Sequence, residues 1–332
     1  MAPTYDKPFK SYKEQIEYLR SEHGLIIDDE DFAQQALSDI SYYDLINGYQ
    51  ECFMSSGRFT NRTNIKFLYL FYLFDKGFQN LIFRQSLLIE NSFKTKLVYT
   101  VGQSFGEDHT IYLADKNYPS SPQYLRTLWS IKKRIGEYQT APYKAPNPLR
   151  HYIEHHNHIP PWILFKNISF GNAIDLFRML ESKRKAGLVQ EILPNAKVSL
   201  EDRTEFLVSG LNIIRELRNR IAHNLKFVTY KSSALRSPKV ALSLFPKGML
   251  SWRDLRKGER ELNDIYTAIL LITTFLNRPF LQYAFLLPLM DYVTVRRDQN
   301  ELANRAIVQR YYEITELPVD FETRLRCFLH RR

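Results

Sequence analysis

Three polar side chains near the end of one predicted helix have the types that RNA cleavage without a metal ion requires: Arg218, Asn219 and His223. RNA carries its own nucleophile, the 2′-hydroxyl, so a protein needs to supply only proton transfer and charge stabilisation at phosphorus. Histidine gives and takes protons near neutral pH. Arginine clamps phosphate oxygens with a planar, permanently charged fork, and asparagine can orient the imidazole or donate to the phosphate.

The helix that positions these side chains is predicted over residues 200–225, where apolar residues recur at helical spacing and must face a core. Arg215, Asn219 and His223 lie four residues apart on another face, and Arg218 lies between the two faces. One helix supplies a single histidine, whereas the acid and base roles need two proton carriers. We therefore expect a symmetric dimer that pairs two such helices.

The spacing of an arginine and a histidine five residues later is a weak signal, because Arg150 and His155 have the same spacing. On spacing alone, a polar helix face with a surface histidine is the better interpretation. The context differs between the two pairs. Arg218 and His223 lie in a strongly periodic helix with a predicted cap, whereas prolines flank the other pair closely.

A cluster of histidines is the main competing site and contains His151, His155, His156 and His158. His151 and His155 have the spacing of a zinc-binding pair, and Glu154 could be a third ligand. However, the order H-Y-I-E-H is not H-E-x-x-H, and no cysteine lies close in sequence. We predict no metal site, and we expect His151 and His155 to support RNA binding from a polar loop.

A basic run, Lys132 and Lys133 with Trp129 and Tyr138 nearby, has two explanations. It could track phosphates and stack bases, as single-strand binding surfaces do. A solvated helix face is the better interpretation, because such charge runs are common on surfaces. Both explanations stay open, with the two lysines as candidate RNA-binding residues.

The composition narrows the function classes. A net charge of +10 and a pI near 9.4 favour polyanionic partners, nucleic acid first and anionic membrane second. No glycine-rich nucleotide loop occurs. Cys52 and Cys327 form neither a metal-ligand pattern nor a disulfide framework, the N-terminus has no apolar signal region, and the apolar stretch 269–287 is too interrupted to span a bilayer. We expect a cytoplasmic protein with no membrane association.

The pattern of apolar residues, caps and prolines predicts an all-α fold. We predict a helical unit over 1–60, a helical core over 61–290 that contains a proline-rich connector at 139–162, and a basic helical tail over 291–332. For residues 228–252, short β-branched runs predict either a hairpin or an ordered loop. Further helices are predicted at residues 11–20, from the acidic run 28–31, and over 64–101, 124–138, 162–185 and 261–276.

The run R-N-R-I-A-H at 218–223 resembles the R-[N/D/H]-x-x-x-H signature of HEPN domains, which are helical modules of many prokaryotic RNA-cleaving defence proteins. Other blocks resemble, in order and spacing, the Abi family of abortive-infection proteins related to AbiD and AbiF. These blocks are KPFKSYKEQIEYLRSEHGLIIDD, SYYDLINGY, IENSFKTKLVY, IPPWILFKNISFGNAIDLF and ELRNRIAHN, within residues 7–275.

The resemblance implies a HEPN-like helical bundle and a metal-independent endoribonuclease, commonly dimeric and without a cofactor, that acts in phage defence or toxin–antitoxin control. It assigns the active site to Arg218, Asn219 and His223. An antitoxin RNA or a protein partner would restrain such an enzyme. The alternative is a non-catalytic module that binds RNA or a partner through the same basic cleft.

Basic residues beside the motif are candidate RNA-binding residues, namely Arg215, Arg220 and Lys226. Lys226 stands where the family is expected to have arginine, and lysine keeps the charge but loses the fork. A zinc-dependent hydrolase that uses the histidine cluster is a further, less favoured hypothesis.

Overall fold

The computed structural model of the chain describes residues 7–60, 63–140, 148–235, 237–256, 261–298 and 302–330. These residues fold almost entirely into helices, which confirms the predicted all-α class. The sheet they contain is a two-stranded antiparallel hairpin of β1 (Met54–Ser55) and β2 (Arg58–Phe59).

The α-helices are α1 (Tyr12–Ser21), α2 (Glu30–Asp39), α3 (Gln50–Phe53), α4 (Ile65–Phe105), α5 (His109–Tyr112), α6 (Pro122–Thr140), α7 (Pro148–His155), α8 (Pro161–Leu164), α9 (Phe170–Met179), α10 (Ser182–Ile192), α11 (Leu200–Ala222), α12 (Pro238–Leu244), α13 (Trp252–Arg256), α14 (Ile265–Phe275), α15 (Pro279–Asp298), α16 (Leu302–Thr315) and α17 (Phe321–His330). A π-helical turn (Tyr43–Asn47) precedes α3, and a 3₁₀ turn (Asp115–Asn117) follows α5.

The helix α4 is the central element of the fold. It has 41 residues and no proline, which corresponds to roughly 60 Å at the rise of an α-helix. Asn64 caps it by accepting a hydrogen bond from the Phe67 amide at 2.8 Å. The helices α9, α10, α11, α14, α15 and α16 all pack against it. The long helix predicted over 64–101 is thereby confirmed.

The first two helices begin at the predicted signals. The Ser11 and Glu14 side chains form a capping box at the start of α1. Asp29, within the acidic run, caps α2 by accepting from the Phe32 amide at 2.9 Å. Both helices and the following aromatic segment contribute buried side chains to the common core.

The chain is helical over much of 162–185, as predicted. It forms the three helices α8, α9 and α10 there and not one continuous helix. Ser169 starts α9 by accepting from the Asn172 amide at 3.0 Å. Leu180 then adopts extended backbone, which ends α9 before α10 begins. The connector 139–162 contains α7 within its described part, and residues 141–147 lie outside the described residues.

For residues 228–252, the described part of the chain forms an irregular segment with a short helix rather than a hairpin. Ser237 caps α12, and Pro238 occupies its first turn, where a missing amide costs nothing. The helix predicted over 261–276 starts only at Ile265, because Asp264 caps it through the Thr267 amide. The three-part division of the chain stays a prediction, and α15 runs through its boundary at residue 290.

The core is one continuous cluster of buried apolar side chains that extends from α1 to α17. Every residue of α14 is buried, so this helix is enclosed on all sides. Among the described residues, no helix combines the length and the apolar character that crossing a membrane requires.

Candidate active site

The helix α11 carries the predicted site at its C-terminal end. Ser199 caps its start by accepting from the Asp202 amide at 3.0 Å. The helix ends at Ala222, three residues earlier than predicted, and His223 is its C-cap residue. Asn224 then turns the chain with a φ of 53°, a conformation that asparagine tolerates better than most residues. His223 is therefore at the exposed end of α11, and its amide still donates to the Asn219 carbonyl oxygen at 3.0 Å, as in a helix.

The apolar stripe of α11 holds the site against the body. Its buried members are Leu207, Leu211, Ile214 and Leu217, while Ile221 is half-buried. Gly210 lies where α14 crosses this helix closely. The predicted core face is thus confirmed, and it fixes which residues of the last two turns point away from the core.

Arg218 points toward α4, where it meets an acidic partner. Its Nη2 lies 3.0 Å from Oε2 of Glu90, and the Oε1 of that carboxylate lies 2.8 Å from Nζ of Lys94. Lys94 Nζ also donates to the carbonyl oxygen of Ile168 at 2.7 Å. The Glu90 and Lys94 side chains are only 12% and 14% exposed, so a nearly buried carboxylate fixes two cations.

Asn219 is engaged with Arg218 and not with the histidine. Arg218 Nη1 donates to Oδ1 of Asn219 at 2.8 Å. Two groups therefore orient the guanidinium, the Asn219 amide on α11 and the Glu90 carboxylate on α4. The roles predicted for Asn219 are orienting the imidazole and contacting the phosphate; the geometry adds a third role, which is to position the arginine fork.

The side chain of His223 is exposed and accepts or donates no hydrogen bond with the described residues. Both ring nitrogens are free to meet a substrate. An exposed imidazole five residues after a fixed arginine can exchange a proton with a group on a bound phosphodiester.

A cavity of about 620 Å³ opens beside Arg218, and we call it the arginine cavity. Glu90, Lys94, Trp162 and Lys166 line it together with Arg218. These five side chains carry three positive charges and one negative charge. Trp162 and Lys166 are both exposed to solvent, which gives the cavity an open, cationic and partly aromatic wall.

The other basic residues near the motif lie on two sides of α11. Arg215 packs closely against α9, because a Cβ atom added to Gly171 would lie 2.9 Å from Nη1 of Arg215. Arg220 donates to the Lys226 carbonyl oxygen at 3.0 Å, and its guanidinium lies 5.1 Å from the Tyr230 ring centre. Lys226 Nζ forms an ion pair at 2.8 Å with the carboxylate of Glu51.

The more distant candidates do not join this group. Lys132 pairs with Asp115 at 2.7 Å, and Lys133 lies 5.3 Å from the Trp129 ring centre. The rings of His151 and His155 lie 4.8 Å apart on α7. None of these four candidates lines the arginine cavity. RNA binding at these positions stays a prediction.

The histidine cluster is also the one predicted alternative for a metal site. Arg150 holds the carboxylate of Glu154 at 2.6 Å, so this carboxylate already has a partner. Within the ranges that the structure describes, no three histidine, cysteine, aspartate or glutamate side chains come close enough to hold a metal ion.

Glu90 and Lys94 lie at the site, although the sequence pattern did not predict a role for them there. Their four-residue spacing on a long helix is sufficient to explain them as a helix-supporting pair. A glutamate on the buried face of this helix was the available signal, since glutamate is rarely buried without a partner. That partner, Arg218, lies on a different helix and far away in sequence.

Comparisons with known proteins place the chain in a family. The sequence model for the Abi-like protein family matches residues 35–228, which is more than half of the chain. The match covers α4 and α11 entirely, and therefore both helices that build the site. A search of curated proteins and a search of solved structures found no match. The chain belongs to the Abi-like protein family.

Proposed function

We propose that the protein is a metal-independent endoribonuclease of abortive infection, and that the end of α11 is its active centre. One observation carries the proposal. The Arg218 guanidinium, fixed by Glu90 and Asn219 at a cationic cavity, stands five residues before an exposed histidine without a side-chain partner among the described residues. Membership of the Abi-like protein family supports a role in defence.

In the proposed reaction, His223 removes the proton from an RNA 2′-hydroxyl. The 2′-oxygen attacks phosphorus, and the bond from phosphorus to the 5′-oxygen breaks. Arg218 and Lys94 stabilise the negative charge that grows on the phosphorane oxygens, which is where fixed cations accelerate such a reaction most. The leaving 5′-oxygen takes a proton, and the products are a 2′,3′-cyclic phosphate and a 5′-hydroxyl.

The departing oxygen needs a proton donor, and each chain brings one histidine at this position. We propose that a second copy of the chain supplies it, with two α11 ends facing each other across a two-fold axis. An antitoxin RNA or a protein partner would cover the same cationic surface and hold the activity in check.

The test compares wild type, His223→Ala and His156→Ala on labelled single-stranded RNA in EDTA. His156 is an exposed histidine on the loop after α7, so its substitution controls for the loss of a surface imidazole. The proposal predicts cleavage by wild type and His156→Ala, and a loss of about 100-fold or more for His223→Ala.

RNA binding without cleavage by wild type would contradict the proposed reaction. It would favour the alternative, a non-catalytic module that uses the arginine cavity to bind RNA. Equal cleavage by all three proteins would place the active centre elsewhere.

A further inference from the structure

A second cavity, of about 380 Å³, lies at the end of α11 between the π-helical turn and the first third of α4. We call it the tyrosine cavity. Tyr43, Tyr72, Lys76, Arg220 and Asn224 contribute to its lining. These five side chains supply two aromatic rings, two cations and an amide, and Lys226, Asp44 and Asp75 also line the cavity.

Two of the three cations that line the tyrosine cavity, Lys76 and Arg220, have no acidic partner at ion-pair distance among the described residues, whereas the third, Lys226, pairs with Glu51. Lys76 Nζ donates to Oε1 of Gln79 at 3.3 Å, and Arg220 donates to a backbone carbonyl oxygen. Burial lowers the pKa of Lys76, although the nearby carboxylates of Asp75 and Asp44 act to raise it. A half-buried ammonium with no counter-ion in contact is stabilised further when an anion binds beside it, because the anion replaces the lost hydration.

Two carboxylates also belong to this wall, and neither is free. Asp75 lies buried beneath it and accepts hydrogen bonds from Tyr49, Gln79 and Tyr311. Asp44 accepts from the Ser41 hydroxyl at 3.0 Å.

Tyr43 supplies an aromatic surface at the rim of the cavity. Its side chain is 74% exposed, whereas most large aromatic side chains of this protein are buried in the core. An exposed tyrosine beside cations is the arrangement with which proteins bind single-stranded nucleic acid, since the ring stacks on a base while the cations hold the phosphate.

The tyrosine cavity and the arginine cavity both border the end of α11 but lie at different positions along α4. Lys76 lines the first and Lys94 the second, and they are separated by roughly 27 Å at the rise of an α-helix. Asn224 and Leu225, which line the tyrosine cavity, are the two residues that follow His223 in the chain. A strand held at both cavities therefore spans several nucleotides.

We propose that the tyrosine cavity binds a nucleotide of the RNA substrate several positions away from the cleaved phosphodiester, with its phosphate between Lys76 and Arg220 and its base on Tyr43. This inference rests on the proposed ribonuclease function. It names a substrate contact that fixes the position of the strand relative to the cut.

The test is binding of a fluorescent 2′-O-methyl RNA, which has no 2′-hydroxyl to attack and stays intact. Tyr43→Ala is expected to weaken binding roughly 5- to 150-fold, the range for losing one base–aromatic stack. Lys76→Met is expected to reduce the slope of log affinity against log salt by about 0.7, as for one lost phosphate contact.

Lys239→Ala is the matched control, because Lys239 is an exposed lysine on α12. The helix α12 lies beside the first half of α11, far from the motif, because Phe245 at its C-terminal end packs against Phe206. This variant should bind like wild type. A 5-iodouridine RNA crosslinked to the wild-type protein should attach to Tyr43, a result that does not depend on any variant folding.

The outcomes separate the two proposals. If wild type cuts RNA but Tyr43→Ala and Lys76→Met bind as well as Lys239→Ala, and the crosslink lies elsewhere, the cavity assignment is wrong and the ribonuclease stands. If the crosslink lies on Tyr43 but wild type cuts no RNA, the cavity stands and the ribonuclease is wrong. Absence of RNA binding by wild type overturns both.

Discussion

Glu90 is a nearly buried carboxylate that lies between two cations, Arg218 and Lys94. Removing the carboxylate leaves both cations without their partner and frees the arginine fork to move. A buried charge that loses its partner is costly, whereas an exposed ion pair contributes little. The residue thus links the stability of the site to its proposed chemistry.

Glu90→Gln is expected to lower the free energy of unfolding by about 1–3 kcal/mol, the range for hydrogen bonds to charged groups. It should also lower RNA cleavage, because Arg218 loses the group that orients it. Lys231→Ala is the control, since it breaks an exposed ion pair with Glu316 and should change stability by less than about 1 kcal/mol. Urea denaturation and the cleavage assay measure both effects; equal stability losses in the two variants would contradict the assigned role.

Asp75 gives the protein a titratable group inside its core. Burial raises its pKa to about 6, although hydrogen bonds from Tyr49, Gln79 and Tyr311 favour the charged form. In the unfolded chain an aspartate titrates near 3.9. Between these two pKa values the folded state holds a proton that the unfolded state has released, so this group makes stability fall as the pH rises from about 4 to about 6.

Asp75→Asn cannot titrate and should lack this fall. From pH 4 to pH 7, the unfolding free energy of wild type should therefore fall by up to about 3 kcal/mol relative to that of the variant. Chemical denaturation at both pH values measures the shift. An unchanged difference for Asp75→Asn would contradict the buried titration.

At the scale of elements, the contact of α11 with α14 depends on Gly210. A Cβ atom there would lie 2.6 Å from Cζ of Phe275 and 2.7 Å from Cδ2 of Leu271. Both neighbours are buried, so they have little room to move.

Gly210→Ala is expected to destabilise the protein by about 1–3 kcal/mol through overpacking. Gly187→Ala on α10 meets open space and should stabilise by about 0.5–1 kcal/mol, because alanine is the better helix former. Thermal denaturation of both variants checks the opposite signs. A gain from both substitutions would mean that the two helices do not approach as closely as described.

The elements also show what the sequence could and could not predict. Caps and apolar periodicity located α1, α2, α4 and α11, since these signals are local. The end of α11 was missed because the turn at Asn224 depends on backbone geometry and not on the helical pattern. Similarly, the breaks at Ser169 and Leu180 interrupt an apolar pattern that continues through them.

The same limit applies to the candidate site. The spacing of Arg218, Asn219 and His223 along one helix is a local pattern, and it suffices to predict that all three lie near one end of α11. The partnership with Glu90 and the tyrosine cavity both join segments far apart in sequence, which no local pattern reveals.

At the scale of the whole molecule, the C-terminal helices are integrated into the core. Tyr311 on α16 is fully buried, and its ring centre lies 5.0 Å from Phe74 and 5.1 Å from Phe78 on α4. Its hydroxyl donates to the buried Asp75 carboxylate at 3.1 Å. The last helices thereby cover the part of α4 that borders the tyrosine cavity.

Tyr311→Ala is expected to cost about 3–5 kcal/mol of unfolding free energy, as for other large aromatic side chains removed from a core. Tyr99→Ala on the same long helix α4 is the control, because Tyr99 is 72% exposed and should change stability by about 0.5 kcal/mol or less. Urea denaturation compares the two. A Tyr311→Ala effect as small as that of Tyr99→Ala would mean that α16 is a loosely attached tail.

The central claim is that the end of α11 directs a 2′-hydroxyl against its neighbouring phosphodiester, and one substrate change tests it most directly. Wild-type protein is incubated in EDTA with an RNA and with the same RNA carrying a single 2′-deoxynucleotide at the mapped cut. We predict that the RNA is cleaved to a 2′,3′-cyclic phosphate end and that no cleavage occurs at the deoxy position. Cleavage at the deoxy position, or a 3′-hydroxyl end on the RNA product, would contradict it.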